Sequence, residues 1–484
     1  MRMRIPGLVA LAALVAAGCA AGAGPGQPAG LTQVAGLGSL SFPNSGAAAA
    51  QAPFARGVLL LHSFEFDTAA GAFREAQTAD PSFALAYWGE AMTYNHPLWR
   101  QVDRDAALAA LARLGTTPAD RAATAPTDRE KGYLAAVEAL YGEGGKTDRD
   151  LAYLAAMADL SARFPDDDEA RAFHALAILG SRDGVRDFAT YMRAAALAQP
   201  VFDRNPDHPG AAHYLIHAFD DPIHAPLGLP AAQKYADIAP GAAHAQHMTS
   251  HIFVAMGMWE DVVAANIRAR DTQDAGNTAH GGHANVCGHY SSWLQYGHLM
   301  LDQHAEAAAL LDACYERVSG APTAEEIGYF LSMRARQILD TEDWTLRDRW
   351  TWTPPAGADP AVGRRRFHYD WVNAFAALRQ GDPSAARALV ARPTSDAMVK
   401  IPADELRGLL AIADGRADEG IRLLEAAAAA EDAQPFEFGP PRIFKPTHEL
   451  LGEELARLGR TDEARAAFTR ANERTPGRKL VKRL

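Results

Sequence analysis

Cysteine is nearly absent: of 484 residues only three are cysteine. After Cys19 only Cys287 and Cys314 remain, and no CxxC pair exists. In an oxidising compartment the last two pair; otherwise they stay as two buried thiols. Basic residues are outnumbered, 47 Lys and Arg against 59 Asp and Glu, for a net charge of −12. That balance argues against a nucleic-acid surface, and the lone basic run at Arg364 to Arg366 reads as a solvated loop. No HExxH occurs, which excludes a glutamate-based zincin mechanism, and no GxSxG marks a serine nucleophile. "GEGGKT", from Gly142 to Thr147, mimics the tail of a phosphate loop, but Leu140 stands where that loop needs its first glycine. It reads as a turn between helices. Strand formers are scarce and alanine is abundant, so helix is favoured throughout.

The N-terminus is a separate segment. Arg2 and Arg4 precede a short apolar run from Leu8 to Ala17, too short to span a bilayer. "VAAGC" ends on Cys19 and resembles a bacterial lipobox, with Ala16 where leucine is usual. The resemblance implies a signal peptide over residues 1–18, lipidation at Cys19 and attachment to a membrane through that lipid. Plain secretion with cleavage nearby is the alternative. Either way the mature chain is expected to leave the cytoplasm, and the lipidated form to sit in the cell envelope on the periplasmic side. Residues 19–53 are rich in Gly, Ala, Pro and Ser and are expected to form a flexible linker.

The C-terminal run "LLGEELARLGRTDEARAAFTRANERTP" places Gly452, Leu455, Gly459, Ala464, Phe468, Ala471 and Pro476 at fixed offsets. It resembles the tetratricopeptide repeat (TPR), a 34-residue helix–turn–helix unit. The pattern recurs at Gly408, Gly415, Gly420 and Leu424, at Gly381 and Ala386, at Gly257, Trp259 and Ala269, and at Gly57, Ala69, Phe73, Ala76 and Pro81. The expected fold is therefore all-α, TPR-type hairpins forming an α-solenoid with a concave groove. An N-terminal array over 54–339 and a C-terminal array over 369–484 are separated by an expected inserted loop, 340–368. The segments "HPGAAHYLIHAFDDPIHAPLGL" and "FGPPRIFKPTHELLGEELARLGR" also resemble a group of exported bacterial TPR proteins without an assigned activity.

Pro206 and Pro240 lie one repeat length apart, both in the unit's terminal proline position. Counted from three residues after each proline, His213 and His247 share position 5, His217 and His251 share position 9, and His244 takes position 2. The resemblance to TPR proteins implies that these positions line the groove. Helical spacing agrees independently: His213 and His217 are i, i+4, and His244, His247 and His251 are i, i+3, i+7. Packed neighbouring helices stand about 8–10 Å apart, so imidazoles from both can converge on a metal ion. His224, His283 and His289 are further candidate ligands, the latter two in a glycine-containing insertion. Asp220 and Asp221 are candidates for a catalytic base or for orienting a ligand. His62, Glu65 and His96 are expected to join only if the superhelix curls tightly. His174 reads as a satisfied interior residue, and His298, His304, His368 and His448 as surface or packing residues.

A histidine donor set suits zinc, copper or iron; nothing suggests a nucleotide. Three functions follow. The groove carries a metal used in binding or in metal-dependent chemistry, a metal-free scaffold binds a peptide or protein partner there, or the protein carries or senses metal.

Overall fold

The structure is a computed structural model that describes residues 30–181, 187–279, 281–353, 360–392, 396–436 and 438–478. The expected signal peptide and Cys19 lie outside the described residues. Helices dominate and pair as antiparallel hairpins: α1 (Ala48–His62) with α2 (Phe66–Ala79), α3 (Ala84–Met92) with α4 (Arg104–Ala112), and, after the short α5 (Pro118–Thr124), α6 (Asp128–Leu140) with α7 (Lys146–Arg163). Next come α8 (Asp168–Gly180) with α9 (Phe188–Arg204), α10 (Pro209–Phe219) with α11 (Ala225–Ile238), α12 (Ala243–Met256) with α13 (Trp259–Ala279), and α14 (His289–Met300) with α15 (His304–Val318). After α16 (Ala324–Thr341) follow α17 (Pro360–Arg379) with α18 (Ser384–Val390), α19 (Ala397–Ala413) with α20 (Ala417–Asp432), and α21 (Thr447–Arg457) with α22 (Thr461–Arg474). This is the TPR-type all-α solenoid expected from the repeat. No helix among the described residues is long and apolar enough to cross a membrane.

The repeat residues do what their chemistry suggests. Pro81, Pro165, Pro206, Pro240 and Pro476 each follow the residue that caps a hairpin's second helix. A proline biases its predecessor away from helical geometry, so each helix stops there. Glycine permits close approach: a Cβ at Gly89 would stand 2.3 Å from the Phe73 ring, and one at Gly452 2.9 Å from Phe468. Helix α10 begins at Pro209 and α12 at Ala243, the first positions of the counted register. First helices of successive hairpins touch, α8 to α10 and α10 to α12, and α1 curls back onto α10.

Three expectations need correction. The linker expected over 19–53 is packed from residue 30 onward. Strands β1 (Thr32–Val34) and β2 (Gly38–Leu40) pair antiparallel, and Leu37, Leu40 and Phe42 are buried in the core. Ser39 donates its backbone N–H to the Asp207 carbonyl and its hydroxyl to Asn205. Low charge and small residues let this segment pack flat where a tether was expected. Second, the loop expected over 340–368 is shorter, because α17 already begins at Pro360. Third, the arrays are not separated by it: Ala335, Ile338 and Leu339 of α16 share a core with α17 to α22.

Arg478, the last described residue, ties three helices together. The buried Arg478 guanidinium donates to Asp340 of α16 at 2.7 Å, to Glu449 of α21 at 2.8 Å and to the Tyr296 hydroxyl of α14 at 3.0 Å. Removing one partner of such a cluster leaves buried charge uncompensated. Arg478→Ala is expected to cost about 3–5 kcal/mol, read as a lowered urea midpoint; an unchanged midpoint would contradict this clamp.

Candidate metal centre

Three neighbouring first helices supply six imidazoles: His213 and His217 from α10, His244, His247 and His251 from α12, and His289 from the start of α14. Ring centroids run 4.8 Å from His213 to His217, 5.8 Å on to His251, 5.0 Å to His247, 6.2 Å to His244 and 5.0 Å back to His213. His289 joins at 4.5 Å from His247. The sequence expectation of one face per helix holds. The expected open groove does not, since the five histidines on α10 and α12 are at most 8% exposed. Phe64, Trp293 and Phe438 pack around them, with ring centroids 4.3 Å from His213, 4.5 Å from His251 and 6.3 Å from His217.

Hydrogen bonds fix which nitrogen of several rings carries the proton. His213 Nδ1 donates to the carbonyl of His62 at 2.7 Å, one of the free carbonyls at the end of α1. His251 Nδ1 donates to the Asp220 carboxylate at 2.5 Å. His247 Nδ1 donates to Asn266 Oδ1 at 2.7 Å, while the Asn266 amide N–H donates to the Val262 carbonyl and so sets the amide's orientation. An oxygen acceptor on Nδ1 leaves Nε2 of the neutral ring with its lone pair, the arrangement found in metal-ligating histidines.

Ring nitrogens then approach one another in two adjoining triplets. His247, His251 and His289 form one, His213, His217 and His244 the other, each with ligand atoms within 4.8 Å of one another. In the first, His247 Nε2 lies 3.2 Å from His251 Nε2 and 2.9 Å from His289 Nε2. His247 Nε2 has one lone pair, and a single proton can bridge only one of these contacts. The single meeting point expected for His213, His217, His247 and His251 is thus replaced by two, because each i, i+4 pair takes its third ring from the first helix of the next hairpin, His244 of α12 and His289 of α14.

Burial keeps His213, His244, His247 and His289 neutral. It pushes His213 and His289 down to about 3 and holds His244 and His247 well below the usual imidazole range, with neighbouring imidazoles adding to the effect. Neutral nitrogens are what a metal ion requires.

The remaining candidates separate cleanly. Asp220 orients His251. Asp221 accepts the backbone N–H groups of Ile223 and His224 and pairs with His224 Nδ1 at 2.9 Å; it and His224 close a turn outside the belt. His283 is exposed on the rim of a cleft. Glu65 accepts the His244 backbone N–H at the start of α12, and His96 stacks on Phe66 outside both triplets. His174 bonds Ser161, and His298, His368 and His448 make local bonds elsewhere.

A third group, His62, Glu169 and His208, is buried but satisfied. Glu169 accepts from both histidines, at 2.7 and 3.1 Å. His62 Nδ1 accepts from the Tyr214 hydroxyl, and His208 Nδ1 from the Ala211 backbone at the start of α10. No imidazole lone pair is left for an ion, and the group fixes His62, whose carbonyl meets His213. Sequence reasoning missed Glu169, His208, Asn266 and Tyr329, the last with its hydroxyl 3.3 Å from His289 Nδ1; none sits in a recognisable motif. Phe64 was missed too. It adopts φ +57°, a strained conformation for a bulky residue, and brings its ring to 4.3 Å from His213.

The belt meets solvent through a cleft of about 820 Å³. His244 and His289, one from each triplet, lie on its wall with Trp99, Tyr290, Arg317 and Tyr329. Cys287, two residues before His289, is joined by a disulfide to Cys314 of α15, which settles the two alternatives left open by the sequence and anchors the loop that delivers His289.

The chain matches no protein family and no curated protein at a significant level. Among solved structures it is similar to the TPR domain of P58(IPK), at 13% identity and a TM-score of 0.23, over 90% of this chain and 96% of that one. It is also similar to a monomeric mutant of IFIT1 with Gppp-AAAA, at 13% identity and a TM-score of 0.33, over 85% of this chain and 94% of that one. These likenesses concern helical repeats and say nothing of the histidines.

The neutral, buried imidazoles carry a pH signature. The unfolded chain takes up protons on these rings near pH 6.5, and the folded chain does not until about 3 for His213 and His289. Stability present above pH 6.5 is therefore lost as pH falls through that window. The unfolding free energy of metal-free protein, from urea titrations, should drop steadily from pH 7 to pH 5, by about 1 kcal/mol or more per unit. A flat profile would show that the rings are not held neutral by burial.

Proposed function

We propose that this is an exported, lipid-anchored TPR-type protein of the cell envelope that holds a transition metal at the floor of its cleft, on His247, His251 and His289. The observation that carries the reading is the crowding at His247 Nε2, where two further ring nitrogens converge on one lone pair. Three imidazole nitrogens bound to one ion at ~2.0 Å would lie roughly 3.3 Å apart, close to the spacing seen. An ion accepts all three lone pairs; a proton does not.

The donor set is all imidazole, which zinc, copper and iron accept. Three ligands leave a coordination position open, and His289 stands where the triplet meets the cleft. The cleft is sized for a peptide segment or small molecule, so a partner group there would reach the ion. Burial of the ligands supports a resident metal over a readily released cargo. The lipid anchor rests on Cys19 and the preceding apolar run.

The test is elemental analysis of tag-free protein after metal supplementation. Wild type should retain a transition metal, His247→Ala should lose it, and Asp220→Asn should weaken retention about 10- to 100-fold while keeping the helical circular dichroism. Wild type without bound transition metal would overturn the reading and leave a histidine-lined scaffold.

A further inference from the structure

The second triplet is not needed for one ion, yet it has the same construction. His213 Nε2 keeps its lone pair because Nδ1 donates to the His62 carbonyl, and His217 Nε2 stands 3.1 Å away. The third ring supplies an independent sign of a ligand. His244 is 8% exposed, and its Nε2 is buried with no hydrogen-bond partner. An unpaired polar nitrogen in such a place is costly unless something binds it. Its ring is held by Phe64 at 5.4 Å and Trp99 at 5.6 Å, and its backbone by Glu65. Much of this shell, the Phe64 strain included, serves the second triplet.

We infer that His213, His217 and His244 hold a second ion beside the first, and that the paired centre takes copper(I). The inference rests on the proposed metal site. The two triplets share one belt, with adjoining rings 5.8 and 6.2 Å apart, so the ions repel across a largely buried interior. Coulomb repulsion scales with the product of the charges and is about fourfold smaller for two monovalent ions than for two divalent ones. Neither triplet contains a thiolate or carboxylate to offset higher charge. Among the described residues, Asp220 bonds His251 and Glu65 the start of α12, where burial pushes the Glu65 carboxyl up, while Glu325 and Glu326 lie on the cleft wall. Among biological metals with a stable monovalent state, copper is the one that takes imidazole readily.

The experiment is anaerobic titration of tag-free full-length protein with copper(I), buffered by a chromophoric chelator, and a parallel titration with zinc. Wild type should bind two copper(I) ions per chain and one zinc. His244→Ala and His289→Ala should each bind one copper(I), and retention of that ion, with unchanged circular dichroism, shows that the variant folds. If His244→Ala does not fold, His244→Gln preserves volume and removes the donor. One copper in wild type, lost in His289→Ala and kept in His244→Ala, would overturn the second ion and leave the first site standing. Two zinc ions bound at the concentrations that load copper would overturn the assignment to copper(I). No metal of either kind would overturn this inference together with the site beneath it.

Discussion

A neutral imidazole has one nitrogen that donates and one that accepts, and burial forces both to be accounted for. In this protein the donor side is fixed by oxygens: the His62 carbonyl for His213, Asn266 for His247 and Asp220 for His251. The accepting sides are thereby turned toward one another. The rest of the architecture follows from holding that arrangement. Glu169 clamps His62 and His208, Asn266 reaches in from α13, and the Cys287–Cys314 disulfide anchors the approach to His289.

The solenoid suits this arrangement because it delivers histidines by repetition. A unit repeated at fixed length puts equivalent residues at equivalent depths on adjacent first helices. His213 and His247, and His217 and His251, are such pairs. Curling of the array adds what repetition cannot, bringing α1 against α10 and so its last carbonyl to His213. The C-terminal array contributes cover: Phe438 reaches His217 and His251, and Gly439 approaches the Trp293 ring too closely for any side chain. The Arg478 cluster locks that closure.

Much of this was legible in the sequence. The proline and glycine spacing predicted the hairpins and their register, and the two HxxxH pairs in that register predicted which faces would meet. What was not legible depends on tertiary closure. Asp220 and Asp221 are adjacent and chemically identical, and only the end of α10 decides that one faces His251 and the other its own turn. The split into two triplets depends on where the loop after α13 returns the chain, which sets His289. Residues 30–53 look like a linker by composition, yet Leu37, Leu40 and Phe42 suffice to dock them once Asn205 and Asp207 offer partners. Glu169 and Asn266 occupy ordinary helical positions and acquire a role only through what burial places beside them.

The central claim is that the belt is a metal centre built from neutral imidazoles. X-ray absorption spectroscopy of the metal-loaded protein addresses it directly. The account predicts a first shell of nitrogen alone at ~2.0 Å with the outer-shell scattering of about three imidazoles per ion. A first shell dominated by oxygen or sulfur, without imidazole scattering, would contradict it.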